Sequence, residues 1–165
     1  MSIQVITAPS QEEANFTSVF LAGGITNCKE WQKEVINNLK HYELSVYNPR
    51  QEHFDILDKK ASYNQILWEF ERLEKCDIFS MYFCNDNSDQ PICMYELGRN
   101  VLRMQQRFPN DWKYRIIISV EDGYKRASDV IIQTELCAPK LIIYTAANPS
   151  SHAEFIVDNI IRLKI

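Results

Sequence analysis

The chain has 165 residues, of which 45% are hydrophobic and 24% are charged, and its formal net charge is −4. A chain of this length typically forms one domain, and it can bury a sizeable core without disulfides or structural metals. The acidic balance argues weakly against a nucleic-acid polymer as the main partner, because phosphate binding needs a clustered basic face. We therefore expect a single domain over residues 1–165.

Cysteine and histidine are arranged in a way that favours neither a disulfide framework nor a metal site. The five cysteines are an odd number without a CxxC pair, and the three histidines stand far apart. Residues 1–16 are too polar and acidic for a signal peptide, and no apolar run is long enough to span a bilayer. We expect a cytoplasmic protein that contacts no membrane and holds no metal.

Short apolar runs that favour strands alternate with helical patterns along the chain. Residues 18–22 (SVFLA) predict the first strand, which two glycines terminate. Residues 27–40 predict the first helix, and residues 44–47 (LSVY) predict the second strand. The apolar stripe of the first helix consists of Trp31, Val35 and Leu39.

The middle of the chain predicts two long helices with a strand between them. Residues 62–76 form the first of these helices, and residues 77–83 (DIFSMYF) form the third strand. The next helix begins at about Ile92. The predicted core stripes are Ile66, Phe70 and Leu73 on the earlier helix, and Leu97, Val101, Met104 and Phe108 on the later one.

The last third of the chain predicts two more strands and a closing helix. Residues 115–120 (RIIISV) are the clearest strand in the sequence, and residues 141–144 (LIIY) are the fifth. Residues 152–165 predict the final helix. The segment from Phe54 to Leu57 is compatible with a loop or a short helix, and both interpretations stay open.

The alternation indicates an α/β fold: one doubly wound (Rossmann/flavodoxin-like) domain with a five-stranded, mainly parallel sheet and helices on both faces. Sheets of this type bind ligands beyond the carboxyl ends of their strands. That rule selects four segments, which are Gly23–Gly24, 48–50, 85–96 and 121–126.

Glu96 is the most unusual residue in these segments. It lies in QPICMYELGRN (90–100), among bulky side chains near the start of a predicted helix. The helix dipole stabilises a carboxylate in the first turn by about 0.3–1 kcal/mol, and this alone would account for many glutamates. The bulky neighbours favour a position on the rim of the crevice and a functional role. Asn100 and Arg103, one and two turns later, could hold the carboxylate.

Three other features are ambiguous when they are considered singly. The pair Gly23–Gly24 is equally compatible with a tight turn and with an anion site made of free N–H groups. For Glu69, in QILWEFE, the sequence favours a solvated position on the surface. Arg50, which follows Asn48 and a proline, could reach into the crevice or lie on the surface.

Five motifs in series resemble the nucleoside 2-deoxyribosyltransferase-like family over roughly Val19 to Val130. They are VFLAGGI followed by a tryptophan, VYNPR, WEFERLEKCDIFSMYF, QPICMYELG and EDGYKRASDV. The resemblance implies the α/β fold and an enzyme that exchanges the base of a 2′-deoxynucleoside through a covalent deoxyribosyl intermediate. The partners implied are a nucleoside or nucleotide and a free nucleobase, with no cofactor.

The resemblance also assigns roles to residues. Glu96, in the ELG motif, corresponds to the nucleophile, and Glu69, eight residues before Asp77, corresponds to the acid that handles the base. Two carboxylates in one cleft suit glycosidic cleavage through an oxocarbenium-like transition state. The residues that correspond to the sugar and base pocket are Gly23, Gly24, Asn48, Arg50, Gln90 and Met94. Gln90 stands where type members of the family have an acid that binds a sugar hydroxyl.

Two alternatives to the transferase stay open. One is a 2′-deoxynucleoside 5′-phosphate N-hydrolase, whose relatives share a signature like YELGR; Ser88, Arg50 and the glycine turn could then hold the phosphate. The other is a protein that binds a nucleotide without turnover. The resemblance further implies a homo-oligomer.

Overall fold

The computed structural model describes residues 3–55 and 57–164, so Ile56, in the ambiguous segment 54–57, lies outside the described residues. Within that part of the chain, six strands form one sheet in the order β1-β3-β2-β4-β5-β6, and every neighbouring pair is parallel. The strands are β1 Gln4–Thr7, β2 Ser18–Gly23, β3 Ser45–Asn48, β4 Ile78–Phe83, β5 Ile116–Glu121 and β6 Ile143–Ala146.

Helices cover both faces of the sheet, as the doubly wound prediction requires. Residues of α2, α3 and α5 pack in one buried cluster, and residues of α1 and α6 pack in a second cluster. The helices are α1 Trp31–Leu39, α2 Lys59–Lys75, α3 Pro91–Arg107, α4 Trp112–Arg115, α5 Ala127–Cys137 and α6 Pro149–Leu163. None of them, within the described ranges, combines the length and apolar composition of a membrane span.

The predicted α/β fold is confirmed, but the predicted number of five strands is wrong. The sixth strand is β1, which pairs with β3 at the edge of the sheet. It has only four residues, and Ile6 is its one buried side chain. Such a short edge strand has too little apolar periodicity to stand out from the polar segment around it. Helix α5 was also not among the predicted elements.

The packing face of α2 also differs from the prediction. Leu73 is buried, but Ile66 is 65% exposed and Phe70 is 46% exposed. The helix instead buries Trp68 and Arg72, one turn apart. The guanidinium of Arg72 lies 5.8 Å from the centre of the Trp68 ring, so a cation–π contact accompanies the burial of this charge. The stripe predicted for α2 from its apolar residues alone therefore lies on the wrong face of the helix.

The apolar stripes of the other predicted helices agree better with the structure. The α1 stripe is fully buried, and three of the four residues predicted for α3 are buried, with Phe108 at the end of the helix only partly so. The buried α1 residues are Trp31, Val35 and Leu39, and the buried α3 residues are Leu97, Val101 and Met104.

Candidate active site

The carboxyl ends of β2, β3 and β4 surround a cavity of about 230 Å³. Parallel strands bring these ends to one edge of the sheet, which is where the fold is expected to bind ligands. Three of the four segments selected from the sequence contribute to the lining, and the segment 121–126 does not. The lining residues are Phe20, Ala22, Gly23, Gly24, Ile25, Thr26, Pro49, Glu69, Ser88, Gln90, Pro91, Ile92, Cys93 and Glu96.

Glu96 lies in the second turn of α3, not in the first turn. The helix begins at Pro91, which suits the first helical position, and no acidic residue occurs in the first turn. Because the influence of the helix dipole fades beyond that turn, it does not account for this carboxylate. Glu96 is half-buried and lines the cavity.

The two residues expected to hold Glu96 do not contact its carboxylate. Asn100 donates a hydrogen bond to the backbone carbonyl of Glu96 over 2.8 Å. Arg103 donates to the side-chain oxygen of Asn100 over 2.8 Å and also pairs with Glu74 on α2. Among the described residues, no side chain donates a hydrogen bond to the Glu96 carboxylate, so both of its oxygens are free for a ligand.

The surroundings of Glu96 favour its neutral form. Burial raises the pKa of Glu96 to about 7, the negative charge of Glu69 adds to the effect, and Arg99 opposes it. Arg99 lies three residues along α3, and its guanidinium stacks 4.9 Å from the centre of the Phe70 ring on α2. At neutral pH the carboxyl of Glu96 is therefore close to its midpoint, and a cationic centre in the cavity would favour its ionised form.

Glu69 projects from α2 into the same cavity and is half-buried, in contrast to the solvated position that the sequence favoured for it. One of its oxygens, Oε1, accepts a hydrogen bond of 2.6 Å from Nε2 of Gln65. Burial raises the pKa of the Glu69 carboxyl, and the hydrogen bond from Gln65 partly offsets this rise. The cavity thus contains two carboxyl groups from neighbouring helices.

Gly23 and Gly24 form a tight turn whose conformation requires glycine. Gly23 has a φ of 152°, and a Cβ there would lie 2.4 Å from the carbonyl oxygen of Tyr82. A Cβ on Gly24 would lie 2.3 Å from Sγ of Cys28 and 2.8 Å from Oε1 of Gln90. The backbone of Gly24 can therefore approach Gln90 closely.

Gln90 connects this turn to the end of β4. Its Oε1 accepts a hydrogen bond of 3.2 Å from the Gly24 N–H, and its Nε2 donates one of 2.9 Å to the carbonyl of Cys84. The side chain is buried, and its backbone is left-handed with a φ of 50°. Gln90 thus forms part of the cavity floor with both ends of its amide engaged.

Asn48 and Arg50 hold loops beside the cavity. Arg50 donates hydrogen bonds to the carbonyls of Lys29 over 2.6 Å and Cys28 over 2.7 Å, and to Oε1 of Gln32 over 3.1 Å. The side-chain oxygen of Asn48 accepts from the Arg50 N–H over 3.1 Å. Neither side chain lines the cavity. Pro49, which lies between them in the sequence, does.

Met94 faces the opposite side of α3. It lines a larger cavity of about 590 Å³, between α3 and α5. Asp129 contributes a carboxylate to that lining and pairs with Arg126 over 2.9 Å. The complete lining comprises Met94, Leu97, Gly98, Val101, Leu102, Gln105, Arg126, Asp129, Val130, Gln133, Thr134 and Cys137.

Two residues affect the carboxyl groups without having been assigned that role from the sequence, although one of them, Arg99, belongs to the YELGR signature. Gln65 lies four residues before Glu69, and Arg99 lies three residues after Glu96, so each shares a helix face with its glutamate. This spacing was the available signal. No cluster of three or more potential metal-ligating side chains occurs within residues 3–55 and 57–164.

A family model described as nucleoside 2-deoxyribosyltransferase like matches residues 17–109, more than half of the chain. The chain belongs to this family. The matched region contains the glycine turn, both cavity glutamates and helix α3, and it ends before α5. Membership in the nucleoside 2-deoxyribosyltransferase-like family indicates an enzyme related to glycosyl transferases and hydrolases that act on nucleosides and nucleobases. No protein with a curated description matches the chain significantly.

Proposed function

We propose that this protein cleaves the N-glycosidic bond of 2′-deoxynucleosides and transfers the deoxyribosyl group to another nucleobase through a covalent intermediate on Glu96. The observation that carries the proposal is the pair of half-buried carboxyl groups, Glu69 and Glu96, in one small cavity at the ligand-binding edge of the sheet. Two carboxyl groups in one cavity suit a reaction that needs one nucleophile and one proton carrier. Their mutual repulsion favours one proton between them, and positive charge that develops at C1′ favours the form in which Glu96 is ionised and the proton lies on Glu69.

In the first half of the reaction, an ionised oxygen of Glu96 attacks C1′ of the sugar. The bond between C1′ and the base nitrogen breaks, and its electron pair leaves with the base, which takes a proton from the Glu69 carboxyl. Positive charge develops at C1′ and on the ring oxygen in the transition state, so the adjacent Glu96 carboxylate stabilises it. The products are a glutamyl-deoxyribose ester and a neutral free base.

In the second half, a nitrogen of the acceptor base attacks C1′ and the ester bond to Glu96 breaks. The proton lost by the acceptor returns to the Glu69 carboxylate, which restores both side chains. The cavity volume of about 230 Å³ is below the range of roughly 300–1,000 Å³ that is typical of small-molecule sites. We infer that the two bases occupy one subsite in turn, which requires the first base to leave before the second one binds.

The cavity lining favours a nucleoside over its 5′-monophosphate. Arg50 is engaged with loop carbonyls, and the Gly24 N–H donates to Gln90. No lysine, arginine or histidine belongs to the cavity lining in the part of the chain that the structure describes. The two carboxyl groups would repel a phosphate in the cavity when they are ionised. Arg50, whose positive charge could offset this repulsion, is engaged with loop carbonyls. Of the groups predicted to bind a phosphate, Ser88 and the glycine turn line the cavity and Arg50 does not.

Product analysis tests the proposal directly. Each 2′-deoxynucleoside and its 5′-monophosphate would be incubated with the protein, with and without a second free base, and the products separated by chromatography. We expect a new nucleoside that forms only when the second base is present, with a parallel-line (ping-pong) kinetic pattern. Glu96→Ala should form no product, whereas Gln105→Ala, in the opposite cavity, should behave as the unmodified protein does.

Other results would replace the proposal. Release of free base from monophosphates without an acceptor would identify a hydrolase. Tight binding of a nucleotide without any product, unchanged in Glu96→Ala, would identify a binding protein. A product that forms equally well with Glu96→Ala would overturn the role of this residue.

A further inference from the structure

We infer that Gln65 is a positioning residue that fixes one oxygen of Glu69 and leaves the other oxygen to the ligand. This inference rests on the proposed function for the role of Glu69, but its structural content is independent of that function. Gln65 does not line the cavity itself, so it acts on a ligand through its hydrogen-bond partners Glu69 and Pro49, which do.

The orientation of the Gln65 amide follows from its neighbours. Its Nε2 lies 2.7 Å from the carbonyl oxygen of Pro49, which can only accept a hydrogen bond. Its Oε1 accepts a hydrogen bond from the side-chain amide of Gln51. The amide nitrogen of Gln65 must therefore face Pro49. The same nitrogen carries a second hydrogen, which it donates to Oε1 of Glu69, with 2.6 Å between nitrogen and oxygen.

This arrangement links Glu69 to the segment that follows β3. Pro49 lines the cavity, and Gln65 bridges its carbonyl to the Glu69 carboxyl. The bridge holds Glu69 in one rotamer, with Oε1 as an acceptor. A proton that Glu69 exchanges with a base must then reside on Oε2, which has no hydrogen-bond partner among the described residues.

Few charged groups among residues 3–55 and 57–164 face Glu69. The carboxyl of Glu96 and the thiol of Cys93, both on α3, are the titratable groups that interact with it across the cavity. The hydrogen bond that Gln65 donates lowers the pKa of the Glu69 carboxyl, against the effect of its burial. Loss of this donor should therefore move the titration of Glu69 to higher pH.

Two substitutions of Gln65 test the inference. Gln65→Met keeps the length of the side chain and removes the donor, and Gln65→Glu keeps an acceptor for Gln51 while it adds a third carboxyl group. Carbon-13 NMR of labelled glutamate carboxyl groups would follow the titration of Glu69, assigned with Glu69→Gln. We expect the midpoint to rise in the order unmodified protein, Gln65→Met, Gln65→Glu.

The kinetic expectation is a fall in kcat of about tenfold for Gln65→Met with a smaller change in KM, because orientation of the proton carrier matters most in the transition state. In a Glu69→Gln background, the same substitution should cause no further fall. Gln105→Met is the matched control, since Gln105 is also a half-buried helical glutamine but lines the opposite cavity.

The titration and the kinetics separate this inference from the proposed function. An unchanged Glu69 midpoint in both Gln65 variants would overturn the positioning role, whatever the activity of the protein. A raised midpoint together with no transfer to any base would support the positioning role and overturn the proposed reaction. A fall in kcat in Gln65→Met that persists fully in the Glu69→Gln background would also contradict the inference.

Discussion

The two sides of helix α3 carry cavities of very different character. On one side, Cys93 and Glu96 line a cavity of about 230 Å³ together with Glu69 of α2. On the other side, Leu97 and Val101 line a cavity of about 590 Å³ that is mainly apolar. The smaller cavity has the two carboxyl groups and lies at the strand ends, so chemistry and position in the fold favour it as the candidate site, whereas volume alone would select the larger cavity.

The largest expected effect is that of Glu96→Gln. This substitution keeps the size of the side chain and removes the proposed nucleophile, so we expect kcat/KM for base exchange to fall by about 10⁴-fold. Steady-state kinetics with a 2′-deoxynucleoside and a free base would measure it. A loss of less than tenfold would mean that the side of α3 with Glu96 is not the reactive one.

Glu69→Gln should have the next largest effect, with a fall in kcat/KM of about 10²–10³-fold, because removal of a general acid–base group typically costs that much. The loss should be smallest for donors whose base is a good leaving group even without protonation. A uniform loss over all donors would contradict the assignment of Glu69 to the base.

The pH dependence should follow the ionisation of Glu96. The pKa of its carboxyl is about 7, and the nucleophile must be ionised, so kcat/KM should fall about tenfold per pH unit below this value. Arg99→Met should move this acidic limb of the pH profile to higher pH, because the positive charge of Arg99 lowers the pKa of Glu96. A limb unchanged by Arg99→Met would show that the guanidinium does not act on the carboxyl group.

Stability should change in the opposite direction to activity. The pKa of Glu96 rises from its ordinary value of 4.5 to about 7 in the folded protein, so folding favours the protonated form. The carboxyl group therefore costs no stability below pH 4.5, an increasing amount between these values and its full amount above about 7. Glu96→Gln should stabilise the protein by about 1–3 kcal/mol at pH 8 and have little effect at pH 4. Thermal unfolding at both values would measure this, and equal effects at both would contradict it.

The smallest effect is expected on the other side of α3. Gln133→Ala alters the lining of the larger cavity without any contact to the carboxyl groups, and kcat/KM should stay within about twofold of the unmodified value. A larger change, at unchanged thermal stability, would show that the two cavities are functionally connected through the helix.

The sequence predicted those elements whose apolar residues form either a continuous run, as in a buried strand, or a helical stripe. The β2, β4 and β5 runs and the α1 and α3 stripes are confirmed, because buried strands and amphipathic helices carry that signal. Strand β1 has too few buried residues, and α5 shows no clear stripe. On α2, burial of Arg72 against aromatic rings shifted the packing face in a way that a count of apolar residues does not detect.

The candidate site was predictable at the level of segments and less so at the level of side chains. The rule of strand ends located the turn at Gly24, the segment before Arg50 and the helix that bears Glu96. It could not show that Arg50 is engaged with carbonyls or that Met94 faces the other cavity, because these depend on rotamers and on the phase of α3. The spacing of Gln65 and Glu69 on one helix was a signal of their contact, but the orientation of the Gln65 amide depends on Pro49 and Gln51, outside that helix.

The bridge made by Gln90 has a consequence for the thermodynamics of ligand binding. Its amide ties the turn at Gly24 to the carbonyl of Cys84, so two hydrogen bonds fix the floor before any ligand arrives. A floor that is already ordered loses little conformational entropy when a ligand binds. Calorimetry of a substrate analogue should therefore show a smaller entropic penalty for the unmodified protein than for Gln90→Ala, in which the same backbone must become ordered around the ligand.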